Sequence, residues 1–194
     1  MNCEGIITQS LQKDCVNHPN GFERIGCIIN RGDIDWSLTA LTSGTTNVLG
    51  GIALLSGKVG YQVLQYGTKP FNGTKKSGVS KEAAPGKMTK IVQFFVPDRD
   101  PLVDEGFIDA LLNGEFVMIL ETKDKNEAGS NNAAFEVFGL HNGLHFTAIE
   151  QDNYGDYGSG WLVTMEETEA PASSMYLFKT SYAATKTLFL GLMS

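Results

Sequence analysis

The chain is short of cysteine: three residues in 194, an odd number, all within the first 27. That excludes a disulfide framework as the basis of the fold. No apolar run approaches the roughly 18 residues of a spanning helix. The start, MNCEGIITQSLQKDC, lacks a cationic segment followed by an apolar one, so no secretory leader is expected. Synthesis in a reducing cytoplasm is the simplest reading. Charge is sparse at 19%, and 22 acidic against 15 basic residues give a net −7. Such a balance has no bulk field to hold nucleic acid by counterion release, although it permits a local basic patch. A catalytic motif is also missing, and by residue chemistry alone the chain reads as a β-rich domain built for contacts.

A hydrophobic content of 42% over this length can bury a core without metal or disulfide staples. Glycine is abundant, 22 residues, which favours turns and bulges over long helices. One domain spanning 1–194 is expected, with an N-terminal arm (about 1–24) and a long basic loop (67–88). Short strands are expected at 25–31, within 49–56 and 58–66, and at 89–96, from apolar runs and period-two alternation. Pro101–Asn113 reads as the one clear helix, amphipathic and flanking the sheet. Asp100 caps it, Pro101 takes its first position, Asp104 and Glu105 sit at its positive end, and Gly114 closes it in a left-handed conformation. Met175–Lys179 suits a last strand, and 182–192 fits a short helix or a strand.

Glu115–Glu167 is the organising stretch. It reads as four strands of one antiparallel sheet, with Asn142-Gly143 as a two-residue hairpin turn. In that register Phe135, Val137, Leu144, Phe146 and Ala148 share one face. Phe138, Leu140 and Ile149 share the other with Glu136, His145 and Thr147. Apolar residues on both faces require cover on both sides, from the chain itself or from another one. Trp161, Val163 and Met165 alternate in the same way.

Few residues carry chemistry. Cys15 and His18, with Cys3 and Cys27, could supply zinc ligands, but zinc sites pair ligands at two short spacings and only one exists here. Cys27 with His141 or His145 could form a nucleophile pair, yet Cys27 sits in IGCII, a core run, whereas a reactive thiol needs an electropositive, partly exposed setting. Gly51–Val59 has one residue too many between its glycines for a phosphate loop, and Val59 where Ser or Thr is needed. Arg31-Gly32-Asp33 suits a tight turn better than a recognition tripeptide. Asn72-Gly73-Thr74 is a glycosylation sequon only in a secreted chain. Asp152 and Asp156 lack the alternating acids of a calcium loop. No catalytic residue, cofactor or metal is expected.

The loop at 67–88 is the feature with most to offer. It holds Lys69, Lys75, Lys76, Lys81 and Lys87 against Glu82 alone. A loop of that length is either a solvated excursion or functional. On an acidic body, a basic arm has the charge layout for docking onto a neighbouring copy. No interleaving of aromatic and basic residues argues for DNA contact.

Two segments also carry a resemblance. Asn113–Gln151 (NGEFVMILETKDKNEAGSNNAAFEVFGLHNGLHFTAIEQ) with GSGWLVTMEE (158–167) resembles the C-terminal half of tail-tube-like virion proteins, especially those of crAss-like and related Bacteroides-infecting phages. DCVNHP and NGFERIGCIINRGDID (14–35) resemble the opening of the same group. The resemblance implies an α+β, mainly β fold: an antiparallel β-sandwich or barrel-like sheet with a flanking helix. It implies a non-enzymatic structural subunit that forms a ring or tube with identical subunits in a phage tail or neck. The partners implied are neighbouring tail, neck and portal-side virion proteins and genomic DNA sliding through the lumen without specific binding, with no membrane. Assembly would take place in the host bacterial cytoplasm. The competing expectation is a β-sandwich module binding a glycan or host-surface ligand through 152–160, with Tyr154, Tyr157 and Trp161 as a stacking platform.

Overall fold

Four consecutive residues of β1 (Phe22–Asn30) and six of β7 (Phe116–Thr122) are buried, a pattern a strand adopts only when both faces of its sheet are covered. In the computed structural model, which describes residues 19–42, 44–78, 87–97, 100–125, 131–151 and 160–194, both covers come from the chain itself. The fold is mainly β, a sandwich of two sheets with flanking helices. One sheet has the order β2 (Ala40–Leu41), β3 (Val48–Gly51), β11 (Met175–Leu177), β8 (Phe135–Phe138), β7, β1 and β4 (Tyr61–Leu64). The other runs β5 (Lys75–Gly78), β6 (Met88–Val96), β10 (Trp161–Ala170) and β9 (His145–Gln151). The pairing of β3 with β11 is parallel, and the other strand pairs are antiparallel.

Period-two geometry divides the core in two. Cys27, Ile29, Val117, Ile119, Phe135 and Val137 project to one face of the larger sheet, where Phe189 and Leu192 of the C-terminal segment cover them. That cover is the helix α3 (Tyr182–Gly191), capped by the Ser181 side chain on the Ala184 N–H, which resolves the choice left open at 182–192. Its C-terminal end rests on Gly60, whose N–H donates to the Leu192 carbonyl at 2.6 Å and where a Cβ would meet Cys27 Sγ at 2.7 Å. Ile28, Met118, Leu120 and Phe138 project the other way, onto Val92, Phe94, Val163 and Met165 of the smaller sheet.

The helix at 101–113 forms with its expected bounds, and Asp100 accepts from the Leu102 N–H as expected. Its interior differs. It runs as α1 (Pro101–Val103), a π-turn (Asp104–Ile108) and α2 (Asp109–Asn113), and the added residue in the π-turn rotates the apolar stripe. Ile108 and Leu111 are buried, while Leu102 is 76% exposed and Leu112 is 40% exposed. Gly114 is extended (φ −96°, ψ 167°) and not left-handed. It is needed for space, since a Cβ there would lie 2.3 Å from the Phe116 ring.

The expected hairpin at Asn142-Gly143 does not exist. β8 and β9 belong to different sheets, so Glu115–Glu167 is not one four-stranded sheet, and 139–144 is a crossover between the layers. Gly139 and Gly143 take the positive φ (+79° each), and Asn142 does not. The reason is a long-range one. Glu167 on β10 is fully buried, and its carboxylate accepts N–H bonds from Gly139 (3.0 Å), His141 (3.0 Å) and Asn142 (3.1 Å). Its counter-ion, Lys90 Nζ of β6, is equally buried at 3.1 Å. Burial raises the cost of the carboxylate charge, but Lys90 and the N–H groups of Asn142 and Gly139 outweigh it and hold its pKa below the usual range. Leu144 then pairs with Phe116 through both backbone groups (2.8 and 3.1 Å).

Replacing Glu167 with Leu would leave a buried lysine and three N–H donors without partners, and should lower stability by about 3–5 kcal/mol. Lys90→Met leaves the carboxylate its N–H donors and should cost less. Urea unfolding of the two variants checks the order. A larger loss for Lys90→Met would show that the carboxylate does not anchor the crossover.

Candidate interaction surface

Of the expected loop at 67–88, residues 67–78 and 87–88 are described, and these are built structure. Its first part is pinned by Phe71, a non-glycine residue at φ 54°, whose ring is 2% exposed and meets Phe22 edge-on at 6.5 Å. Burying that ring offsets the backbone strain. Gly67 and Gly73 supply the neighbouring positive φ angles, and Thr74 Oγ1 accepts from the Gln93 N–H at 3.2 Å. From Lys75 the chain runs as β5, antiparallel to β6 with Lys75 opposite Ile91 and Lys76 opposite Lys90.

The five lysines therefore have different positions. Lys76 points into the sandwich, with its Nζ 2.7 Å from Glu136, a hydrogen bond of 2.8 Å to Ser174 Oγ, and the Phe138 ring 5.5 Å away. It ties the two sheets together and is not available as a docking group. Lys87 pairs with Glu169 at 3.5 Å on the surface, a contact of little energetic weight. Lys69 and Lys75 are exposed. Lys81 lies outside the described residues.

Lys69 stands on the wall between two open clefts. One, of about 370 Å³, is lined by Leu64, Tyr66, Asn72, Phe95 and Leu162 among others. The other, of about 260 Å³, includes Phe22, Thr68 and Lys123, whose Nζ donates to the Thr68 carbonyl at 3.3 Å. No Asp or Glu lines either cleft among the described residues. Tyr66 is 70% exposed. On an acidic chain this is a basic, aromatic concavity. A ridge of the opposite character is offered by the helix at 101–113, which exposes Leu102, Glu105, Asp109 and Leu112 and contains no lysine or arginine.

The remaining candidates carry less. Cys27 is buried between β1 and α3, and burial pushes its thiol up to about 12, far from a reactive thiolate. His141 instead packs beside Glu167, Lys90 and Arg31. Arg31-Gly32-Asp33 is a 3₁₀ turn closed on itself. Arg31 donates to the His141 carbonyl (2.7 Å) and pairs with Glu115 (3.3 Å), while Asp33 holds Asn30 (2.9 Å) and Lys58 (3.1 Å). Trp161, expected as a stacking platform, has its indole N–H bonded to Asp104 at 2.8 Å. Tyr154, Tyr157, Asp152, Asp156, Cys3, Cys15 and His18 lie outside the described residues. Among the described residues no group of three or more His, Cys, Asp or Glu is placed to hold a metal, and no helix is long and apolar enough to cross a membrane.

Two polar clusters escaped the sequence reading. Glu121, 1% exposed on β7, is held by Lys125 (2.7 Å), by Lys186 and by the Tyr182 hydroxyl, which fastens α3 to the larger sheet. The other is Lys90 with Glu167. Its signal was present: Lys90 is in phase with Val92 and Phe94, and Glu167 with Val163 and Met165, so each sits on the buried side of its strand. Lys76→Met, which strands the half-buried Glu136, should lower stability by about 1–3 kcal/mol. Lys75→Met should fall within about 0.5 kcal/mol of the parent. Thermal melts of the two variants test the assignment, and equal shifts would contradict it.

Comparison with protein-family models, curated proteins and solved structures finds no match to this chain.

Proposed function

We propose that this protein is a structural subunit that assembles with copies of itself into a ring or tube, in the tail or neck of a bacteriophage. The resemblance of 14–35, 113–151 and 158–167 to tail-tube-like virion proteins motivates the phage setting. The observation that carries self-assembly is the pair of complementary surfaces on one body: the Tyr66–Lys69 cleft and the Leu102–Glu105–Asp109–Leu112 ridge. The occupant proposed for the cleft is the ridge of a second copy. Apolar contact from the leucines and tyrosine supplies adhesion, and the opposite charges fix register. The central strands of the larger sheet, β1, β7 and β8, are covered on both faces from within, so contacts between copies fall to edges, loops and helix surfaces. The net charge of −7 suits a lumen wall along which DNA slides without sticking.

Charge reversal tests the interface. Lys69→Glu should weaken assembly, more at about 50 mM than at about 500 mM salt, because exposed charges are screened over roughly a Debye length. Asp109→Lys should do the same alone, and mixing the two variants should restore mixed assemblies in light scattering. If the parent chain assembles and Lys69→Glu assembles equally well at both salts, the cleft is not the interface, and a parent chain that never assembles sinks the ring reading itself.

A further inference from the structure

The crossover 139–144 is held by charges that leave no room for one more proton. His141 is half-buried there, and its Nε2 is shielded from solvent without a hydrogen-bond partner. The groups around it come from every neighbouring element. Glu167 reaches from β10 and accepts the His141 N–H, and Lys90 reaches from β6. Arg31 follows β1, donates to the His141 carbonyl, pairs with Glu115 and lies 5.1 Å over the Trp36 ring. His145 of β9 places its Nε2 3.2 Å from the Asn142 carbonyl.

An imidazolium at this position would be a third cation beside Lys90 and Arg31, whose carboxylate partners, Glu167 and Glu115, are already engaged. Its Nε2–H would also need an acceptor that the closed crossover does not provide. Both needs are met by water once the segment lifts. Lifting it would release the three N–H bonds to Glu167, break the Leu144–Phe116 pairing and expose Leu140 and Leu144, which are buried in the closed form. We infer that the 139–144 crossover is an acid-released latch between the two sheets, with His141 as the group whose protonation opens it.

The direction of the His141 pKa agrees. Burial lowers it first, Lys90 and Arg31 lower it further, and Glu167 only partly opposes them. The opened segment takes up a proton from the ordinary histidine value, near 6.5. The closed one takes it up only at lower pH. The closed form is therefore fully favoured above that value and loses ground as pH falls below it. Protonation of Glu167 would act in the same direction at lower pH, since its pKa is also depressed.

The test uses the full chain and amide hydrogen exchange at Gly139, His141 and Asn142, corrected for the intrinsic pH dependence of exchange. Between pH 7.0 and 5.5 the opening constant of these amides should rise several-fold, up to about tenfold per pH unit below the opened-state value. Core amides of β7 should not follow. In His141→Gln, which keeps a neutral polar side chain, the rise should vanish while exchange at pH 7.0 stays near the parent's. A parent with no rise, or a variant that rises equally, overturns the latch. Histidine-ring NMR gives a reading that needs no variant: His141 should stay neutral below the ordinary histidine pH, and protonation at the ordinary value without any change in these amides would overturn it as well.

Discussion

The fold depends on one fully buried ion pair, Lys90 with Glu167. Such a pair seldom adds net stability, because removing both charges from water costs about as much as their attraction returns. It is suited to specifying structure, and here Glu167 does so twice over. One oxygen meets Lys90 and the Gly139 N–H, while the other collects the N–H groups of His141 and Asn142. Satisfying that carboxylate sends the chain from the larger sheet to the smaller one at 139–144. It thereby decides which side of β8 and β9 faces which core. Lys76 on the neighbouring strand β5 adds a second, partly exposed pair, reaching Glu136 of β8 and so linking the smaller sheet to the larger one.

Closing the core from within shapes what the molecule can offer outside. α3 covers one face of the larger sheet and the smaller sheet covers the other, with Glu121 fastening α3 through two lysines and a tyrosine. Exposed apolar groups among the described residues include Tyr61 and Tyr66 in and beside β4, and Leu102 and Leu112 on the helix. Surfaces of opposite charge on one body are what proposed head-to-tail assembly needs, and the proposal rests on them and not on a bare sheet face.

Much of the fold was legible. The strands at 22–30, 61–64, 88–96 and 175–177, the Asp100 cap and the 101–113 helix all follow from local patterns of alternation and capping. What failed were features fixed by distant partners. Asn142-Gly143 carries strong hairpin chemistry, but a carboxylate 25 residues away captured its backbone. Gly114 looks like a left-handed cap and is instead the only residue small enough to pass the Phe116 ring. Of the five lysines read from composition as one arm, Lys69 and Lys75 are exposed, Lys76 ties inward and Lys87 forms a surface ion pair, because Phe71 and the β5 register orient the segment; Lys81 lies outside the described residues. The site is therefore half visible in the sequence: Lys69 and Lys75 stand out in its composition, whereas Tyr66 and the acidic ridge become a surface only in three dimensions.

Self-association of the unmodified chain is the central claim, and sedimentation velocity over a concentration series addresses it most directly. The account predicts that the 21.0 kDa species gives way, as concentration rises, to a discrete larger species at a fixed multiple of that mass, as a closed ring requires. A single 21.0 kDa boundary up to millimolar concentration would contradict it.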